Sequence, residues 1–190
     1  MSYTTDEIIY FHIIGESNTE ITLQLAKKRA EKRGINTIVV ASTRGVTGVK
    51  VAKLFQGYNV IVVPHHTGYQ GPDAQELTLE NQEKIRAFGG QVLTATHAFG
   101  GVGRAVRRQF NTYQAEEIIA ATLKVFGQGV KVCAEIVLMA ADAGLVSTQE
   151  DLIAISGSNR GADTALVIRP VNAFDFFKMK IQEIICKPLL

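Results

Sequence analysis

The sequence predicts an α/β fold in which a mostly parallel sheet is covered by helices on both faces. Short apolar runs typical of strands alternate with amphipathic stretches typical of helices. The apolar runs are nearly continuous, as in 38-IVVA-41 and 60-VIVV-63, which indicates strands buried on both sides. Strand–helix–strand units of this kind form right-handed crossovers and place their strands in parallel.

Each element has a local signal. The predicted strands are apolar, mostly β-branched runs that end at glycine, proline or polar residues: 8–14, 37–41, 60–63, 91–95, 152–155, 165–168 and 180–186. The predicted helices have apolar residues at helical spacing: 19–33, 46–56, 81–88, 102–110, 113–126 and 131–143. Ser17 and Glu20 are spaced as a capping box for the first helix, and Gly34 ends it. No repeat or linker interrupts the pattern, so residues 1–190 are predicted to form one domain.

The composition is that of an ordinary globular protein. Hydrophobic residues make up 46% and charged residues 20%, and the net charge of +2 does not favour nucleic acid as a partner. No apolar run reaches the roughly 18 residues needed to cross a membrane. The N-terminus lacks the pattern of a secretion signal, and both cysteines, Cys133 and Cys186, lie in apolar runs. We therefore expect buried, reduced thiols and a cytoplasmic location.

The loops after the first five strands have an unusual composition. They are rich in Gly, Ser, Thr, His and Arg, whereas the loops at the opposite edge, such as 33-RGIN-36, are short and plain. In open α/β sheets, ligands bind beyond the carboxyl ends of the strands. The sequence therefore predicts a binding site built from 15-GESNTE-20, 42-STRGVTG-48, 64-PHHTGY-69, 94-TATHAFGGVGR-104 and 156-SGSNRGADT-164.

The turn between the second strand and the second helix suits an anion. The helix start offers free N–H groups and a positive dipole end. Ser42, Thr43 and Thr47 add hydroxyls, Arg44 adds a guanidinium that matches a phosphate, and Gly45 permits close approach of the backbone. The alternative is an ordinary helix cap with a solvent-facing Arg44.

A second glycine-rich stretch, 100-GGVGRAVRR-108, also precedes a helix. Arg104, Arg107 and Arg108 share one face of that helix, and a solvated basic face is the favoured interpretation. Glu135 is expected to lie on a solvated stripe with Lys131; a buried carboxylate is the alternative.

Three loop histidines, His65, His66 and His97, can meet at one edge of the sheet. They have no carboxylate or cysteine at ligand spacing, so we expect no metal site. Hydrogen bonding to a ligand or acid–base chemistry is a functional alternative to simple bonding with the backbone. The sequence shows no Ser–His–Asp or Cys–His pattern, and no catalytic residue is assigned.

The chain resembles small archaeal and bacterial proteins related to the C-terminal α/β domain of pyruvate kinase. The resemblance lies in 38-IVVASTRGVTGVKVAKLF-55, 60-VIVVPHHTG-68, 94-TATHAFGGVGRAVRR-108, 126-FGQGVKVCAEIVLMAADAGL-145, 160-RGADTALVI-168 and 183-EIICKP-188. It implies a three-layer α/β/α sandwich whose mixed sheet has one antiparallel strand. In some pyruvate kinases the matching turn holds a phosphate of a sugar bisphosphate, which implies this role for Ser42, Thr43, Arg44 and Thr47. The residues of the catalytic barrel are absent from the sequence, so we do not expect a pyruvate kinase.

The resemblance also implies flavin mononucleotide (FMN) as a cofactor. Two hypotheses follow. The first is a flavin-binding protein, which as an enzyme would be an oxidoreductase. The second is a non-catalytic sensor of a phosphorylated metabolite such as a sugar phosphate. In the first, the flavin ring lies among Tyr69, Phe99, His66 and His97. The apolar stretches 130–143 and 181–190 predict a homo-oligomer. The predicted binding residues are Gly15, Glu16, Asn18, Thr19, Ser42, Thr43, Arg44, Gly45, Thr47, His65, His66, Thr67, Gly68, Thr96, His97, Gly157 and Arg160.

Overall fold

The computed structural model describes residues 3–189, which form a seven-stranded sheet with helices on both faces. The strands are β1 (Ile9–Phe11), β2 (Thr37–Ala41), β3 (Asn59–Val63), β4 (Gln91–Val92), β5 (Leu152–Ser156), β6 (Thr164–Arg169) and β7 (Lys180–Pro188). The helices are α1 (Thr19–Arg33), α2 (Val46–Leu54), α3 (Leu79–Ala87), α4 (Val102–Phe110), α5 (Ala115–Lys124) and α6 (Gln128–Asp142). Two 3-10 helices lie at Glu16–Asn18 and Ala173–Lys178.

The sheet is mixed and mostly parallel, in the order β1-β7-β6-β5-β2-β3-β4. Only β6 runs antiparallel to its neighbours, β5 and β7. The loops that follow β1 to β5 therefore leave the sheet at one edge, where β6 also begins. We call this the C-terminal edge.

Two hydrophobic cores, one on each face of the sheet, produce the three layers. On one face, α1, α2 and α3 bury Leu23, Val51 and Ile85 against the sheet. On the other face, α6 buries Val137 and its neighbours, and α5 packs outside α6. The predicted sandwich is confirmed. No helix in residues 3–189 is long and apolar enough to cross a bilayer.

Element ends differ from the prediction where tertiary contacts decide them. β1 is shorter than 8–14 because it pairs only with β7, in a register that ends where Phe11 meets Pro188. The capping box before α1 is wrong: a 3-10 turn precedes the helix, and its N-cap residue Asn18 makes no side-chain capping bond. Gly34 does end α1, in the left-handed conformation.

The apolar segments that predicted a homo-oligomer are used within the chain. Eleven of the fifteen residues of α6 are buried, and β7 is an inner strand between β1 and β6. These two segments therefore give no reason to expect a homo-oligomer, which remains an untested prediction. Both cysteines are free and buried, and burial raises the pKa of the Cys133 thiol to about 12.

Candidate functional site

The predicted binding residues all follow strands at the C-terminal edge, but contacts divide them into two groups. The first group joins the loop after β1 to the loop between β5 and β6. The second group joins the loops after β2, β3 and β4. The two groups have different characters, because the first is closed by internal hydrogen bonds and the second borders a cleft.

A buried carboxylate, Asp163, organises the first group. Its oxygens accept hydrogen bonds from the backbone N–H of Gly15 at 2.9 Å, the N–H of Ser158 at 3.1 Å and the Thr164 hydroxyl at 2.9 Å. Asp163 is fully buried, so these donors take the place of water around its charge. It thereby fixes the loop after β1 to the loop before β6.

The same two loops also touch directly. Thr19 is buried and its Oγ1 accepts a hydrogen bond from the Ala162 N–H at 3.0 Å. A Cβ on Gly161 would lie 2.6 Å from the Glu16 Cα, so only glycine fits there. The predicted residues Gly15, Thr19 and Gly157 thus hold loops together, while Asn18 is half-buried and Glu16 and Arg160 are exposed.

The turn from Ser42 to Thr47 is more enclosed than the sequence suggests. The Ser42 Oγ accepts a hydrogen bond from the Gly48 N–H at 2.9 Å, and both Ser42 and Thr47 are buried. Gly45 has a φ of 91° and lies against α3, where a Cβ would be 2.6 Å from the Asn81 Cβ. The close approach expected at Gly45 is therefore made by this chain's own α3 region.

Arg44 and Thr43 are the more accessible members of this turn. The Arg44 side chain is exposed, and its carbonyl accepts a hydrogen bond from Asn81 Nδ2 at 2.8 Å. Thr43 is half-buried, with its Oγ1 3.5 Å from His65 Nε2. This contact connects the turn to the loop after β3.

The three predicted histidines do meet, and they gather around Tyr69. The His65 ring stacks on Tyr69 with centroids 4.0 Å apart. His97 lies 5.4 Å from His65 and 5.2 Å from His66, again between ring centroids. Thr67, Gly68 and Thr96 are exposed around this cluster. No group of three His, Cys, Asp or Glu side chains within residues 3–189 is arranged to hold a metal ion.

Glu76 is a member of the cluster that the sequence did not predict. Its Oε2 lies 2.7 Å from His65 Nδ1, so the carboxylate orients the imidazole. The loop folds back to bring the two together, and Gln75 Nε2 supports it by donating to the His65 carbonyl at 3.2 Å. Eleven residues separate the pair in sequence, and no local spacing rule links residues so far apart within a loop.

The expected solvated stripe at Glu135 is wrong, because Glu135 is buried. Its Oε1 accepts the Phe99 N–H at 3.0 Å, and its Oε2 pairs with Lys131 on the preceding turn of α6. The ion pair thus fixes the loop after β4 from beneath. Phe99 itself is buried against Phe176 and cannot meet a ligand ring, contrary to expectation. Burial lowers the pKa of His97 to about 4, against an upward pull from Glu135.

A cleft of about 380 Å³ opens between the loop after β3 and the start of α4. We call it the 66–109 cleft. Arginine, aromatic and glycine residues predominate in its lining, which comprises His66, Gly68, Tyr69, Gly100, Gly101, Arg104, Ala105, Arg108 and Gln109. Its volume falls in the usual range of small-molecule pockets, roughly 300–1,000 Å³. Two of the five predicted loops line it.

The arginines of α4 do not form the uniform solvated face that was expected. Arg104 lies with its guanidinium carbon 5.9 Å from the Tyr69 ring centroid, and its buried Nε has no hydrogen-bond partner among residues 3–189. Arg107 forms an ion pair with Glu117, with Nε 2.8 Å from Oε1, although that N–H is not well aligned. Only Arg108 is exposed. Arg104 and Arg108 therefore provide positive charge at the cleft.

The fold and its polar edge define a three-layer α/β/α domain with a candidate ligand site beyond the carboxyl ends of its strands. Residues 20–168 match the family described as pyruvate kinase, alpha/beta domain, and the chain belongs to that family. The family resemblance seen in the sequence is confirmed.

Solved structures with a similar arrangement are distant. Pyruvate kinase of Cryptosporidium parvum, in complex with ADP, is 16% identical with a TM-score of 0.39, over 78% of this chain and 22% of that one. O-ureido-L-serine synthase matches with 16% identity and a TM-score of 0.31, over 66% of this chain and 48% of that one. This chain thus spans about a fifth of the pyruvate kinase.

Proposed function

We propose that this protein binds a phosphorylated small molecule at the C-terminal edge, with FMN as the leading candidate. The observation that carries the proposal is the 66–109 cleft, in which two arginines and an aromatic face occur together. A phosphate is matched by the guanidinium groups of Arg104 and Arg108. A planar ring is matched by Tyr69, whose opposite face is already covered by His65.

The turn at Ser42–Thr47 is the second place for the phosphate. Arg44 is its exposed cation, and the positive end of the α2 dipole lies beside it. Two observations argue against this turn as the phosphate site. Its hydroxyl residues Ser42 and Thr47 are buried, and Gly45 is covered by the α3 region. We therefore favour the cleft and use Arg44 as the competing hypothesis in the test.

The test compares FMN with riboflavin, which lacks the phosphate. Hydrogen bonds to charged groups contribute about 1.5–3 kcal/mol each. Arg104→Ala should therefore weaken FMN binding by about 10- to 150-fold and leave the weaker binding of riboflavin unchanged. Arg86→Ala is the control for net charge, because it removes an exposed arginine from the last turn of α3, just before β4 begins and so at the edge of the sheet opposite the cleft.

Calorimetric or fluorescence titration of the purified chain decides between the sites. If Arg44→Ala loses affinity and Arg104→Ala does not, the phosphate belongs at the turn and the cleft assignment is wrong. Equal binding of FMN and riboflavin by the parent protein contradicts a phosphate site altogether. An oxidoreductase role additionally requires that the bound flavin be reduced by a nicotinamide donor and reoxidised.

A non-catalytic sensor of a phosphorylated metabolite is the second candidate. The observation that favours it is that Arg104, Arg108 and Gln109 place hydrogen-bonding side chains in the lining of the 66–109 cleft, which suits a sugar phosphate as well as a flavin. Binding of a sugar phosphate with the same dependence on Arg104, together with failure of FMN to bind, supports this candidate over the first.

A further inference from the structure

Thr43, His65 and Glu76 form a chain of contacts that ligand binding alone does not require. His65 Nδ1 lies 2.7 Å from Glu76 Oε2, and His65 Nε2 lies 3.5 Å from Thr43 Oγ1. A carboxylate beside Nδ1 fixes that nitrogen as the N–H donor, so Nε2 becomes the proton acceptor that faces the hydroxyl. This is the arrangement of an oriented base next to a potential nucleophile.

The base is held in place on several sides. Tyr69 stacks on the His65 ring at 4.0 Å with an interplanar angle of 29°. Gln75 Nε2 donates to the His65 carbonyl, and its Oε1 accepts the Leu77 N–H at 2.9 Å, which positions the adjoining Glu76. The His65 and Glu76 side chains are 30% and 19% exposed, so a small substrate can reach them.

Thr43 lies where an electrophile can be activated. It lies two residues after the end of β2 and is half-buried, and α2 begins three residues later. The positive end of the α2 dipole favours negative charge near this turn. In acyl transfer, negative charge develops on the carbonyl oxygen of the tetrahedral intermediate, where such a dipole is stabilising.

We propose that Thr43, His65 and Glu76 form a catalytic triad for acyl transfer, with Thr43 as nucleophile, His65 as general base and Glu76 as the positioning residue. Thr43 Oγ bonds to the carbonyl carbon of an ester while His65 Nε2 takes the hydroxyl proton. The bond from that carbon to the leaving oxygen then breaks, and the proton passes to the leaving group. Water hydrolyses the resulting Thr43 ester and restores the hydroxyl. This inference does not depend on the ligand of the 66–109 cleft.

The test uses p-nitrophenyl acetate and the full chain after treatment with EDTA. We expect release of p-nitrophenolate and an acetyl group on Thr43, located by mass spectrometry of acid-quenched protein. His65→Asn should lower the release rate by about 10²- to 10⁴-fold, the usual contribution of general acid–base catalysis. Thr43→Val removes the nucleophile and should lower the rate at least as much. His12→Asn, at an exposed histidine just after β1, should leave the rate unchanged.

Further variants separate chemistry from structure. Thr43→Ser keeps a hydroxyl and should retain acylation, so it remains informative if Thr43→Val does not fold. Added imidazole should restore acetylation of Thr43 in His65→Gly, with release above that of imidazole without protein, which a purely structural role of the histidine does not predict. Glu76→Gln should lower the rate and change the protonated nitrogen of His65, as seen in ¹⁵N NMR spectra.

Several results overturn the proposal. Acetylation confined to lysine residues, or a rate unchanged in Thr43→Val, shows that Thr43 is not the nucleophile. A rate abolished by EDTA assigns the activity to a bound metal. No release above that of buffer from the parent protein refutes the triad, and it leaves the FMN titrations unaffected because they measure ligand binding and not ester cleavage.

Discussion

The buried ion pair of Lys131 and Glu135 predicts a large and specific loss of stability when either partner is removed. The two side chains are 12% and 6% exposed. Removal of one partner from a buried pair leaves an uncompensated charge and costs about 3–5 kcal/mol. We expect Lys131→Met to fall in this range, because the Glu135 carboxylate then keeps only the Phe99 N–H as a described partner.

Glu135→Gln should lower the free energy of unfolding by less than Lys131→Met does, within the same range. The amide oxygen can still accept the Phe99 N–H, and Lys131 can extend towards solvent. The double variant has no buried charge left at the pair, so it should be less destabilised than Lys131→Met alone. The chain has no tryptophan, so urea unfolding is best followed by circular dichroism.

The matched control is the pair Glu80–Lys84 on α3, which has the same i,i+4 spacing but side chains 74% and 52% exposed. Substitution of either residue there should leave the unfolding midpoint unchanged within error. If Lys131→Met costs less than about 1 kcal/mol, or the two substitutions add in the double variant, the pair is not the buried support that we describe.

Two more predictions concern titration and assembly. The pKa of His97 in the folded chain is about 4, below its ordinary value of 6.5, so protonation favours the unfolded chain. The free energy of unfolding should therefore fall as the pH drops from 6.5 towards 4. His97→Gln should reduce this dependence of unfolding free energy on pH. An unchanged slope in His97→Gln contradicts this assignment. The homo-oligomer remains a prediction, and Phe174 and Phe177, which are 104% and 90% exposed, are where we expect its interface. Light scattering should then give a mass above that of a monomer, and Phe177→Ser should lower it. A monomeric parent protein refutes the oligomer.

The sequence predicts best where one physical rule dominates. The bounds of β2 at Thr37–Ala41 and α1 at Thr19–Arg33 agree with the prediction. The uninterrupted β-branched run of β2 favours a strand, and the long helical pattern of α1 ends at a glycine, so no other secondary structure competes strongly at these positions. β1 was overextended because the residues Ile13 and Ile14 look like strand yet are 70% and 50% exposed. Apolar character in the sequence does not reveal where a partner strand ends.

The predicted binding residues lie at the C-terminal edge, but only two of the five predicted loops line the 66–109 cleft, and their role in binding stays a prediction. Loop composition indicated the histidines, since these residue types after strands are informative in themselves. Glu76 and Asp163 were missed because an acidic residue in a polar loop is unremarkable until the fold shows what it contacts. Glu135 was misjudged for a related reason: periodicity placed it with charged residues, whereas the loop after β4 covers it.

The pairing of β1 with β7 joins opposite ends of the chain, since Ile9 lies beside Cys186. Contacts between residues so distant in sequence carry a loop-closure cost that must be met before they stabilise the fold, and such contacts slow folding. β1 has no neighbouring strand other than β7, which lies between β1 and β6. During synthesis, β1 and the loop that follows it thus have no partner strand until β7 has emerged. The β2–β3 unit, whose strands are close in sequence, can form its part of the C-terminal edge much earlier.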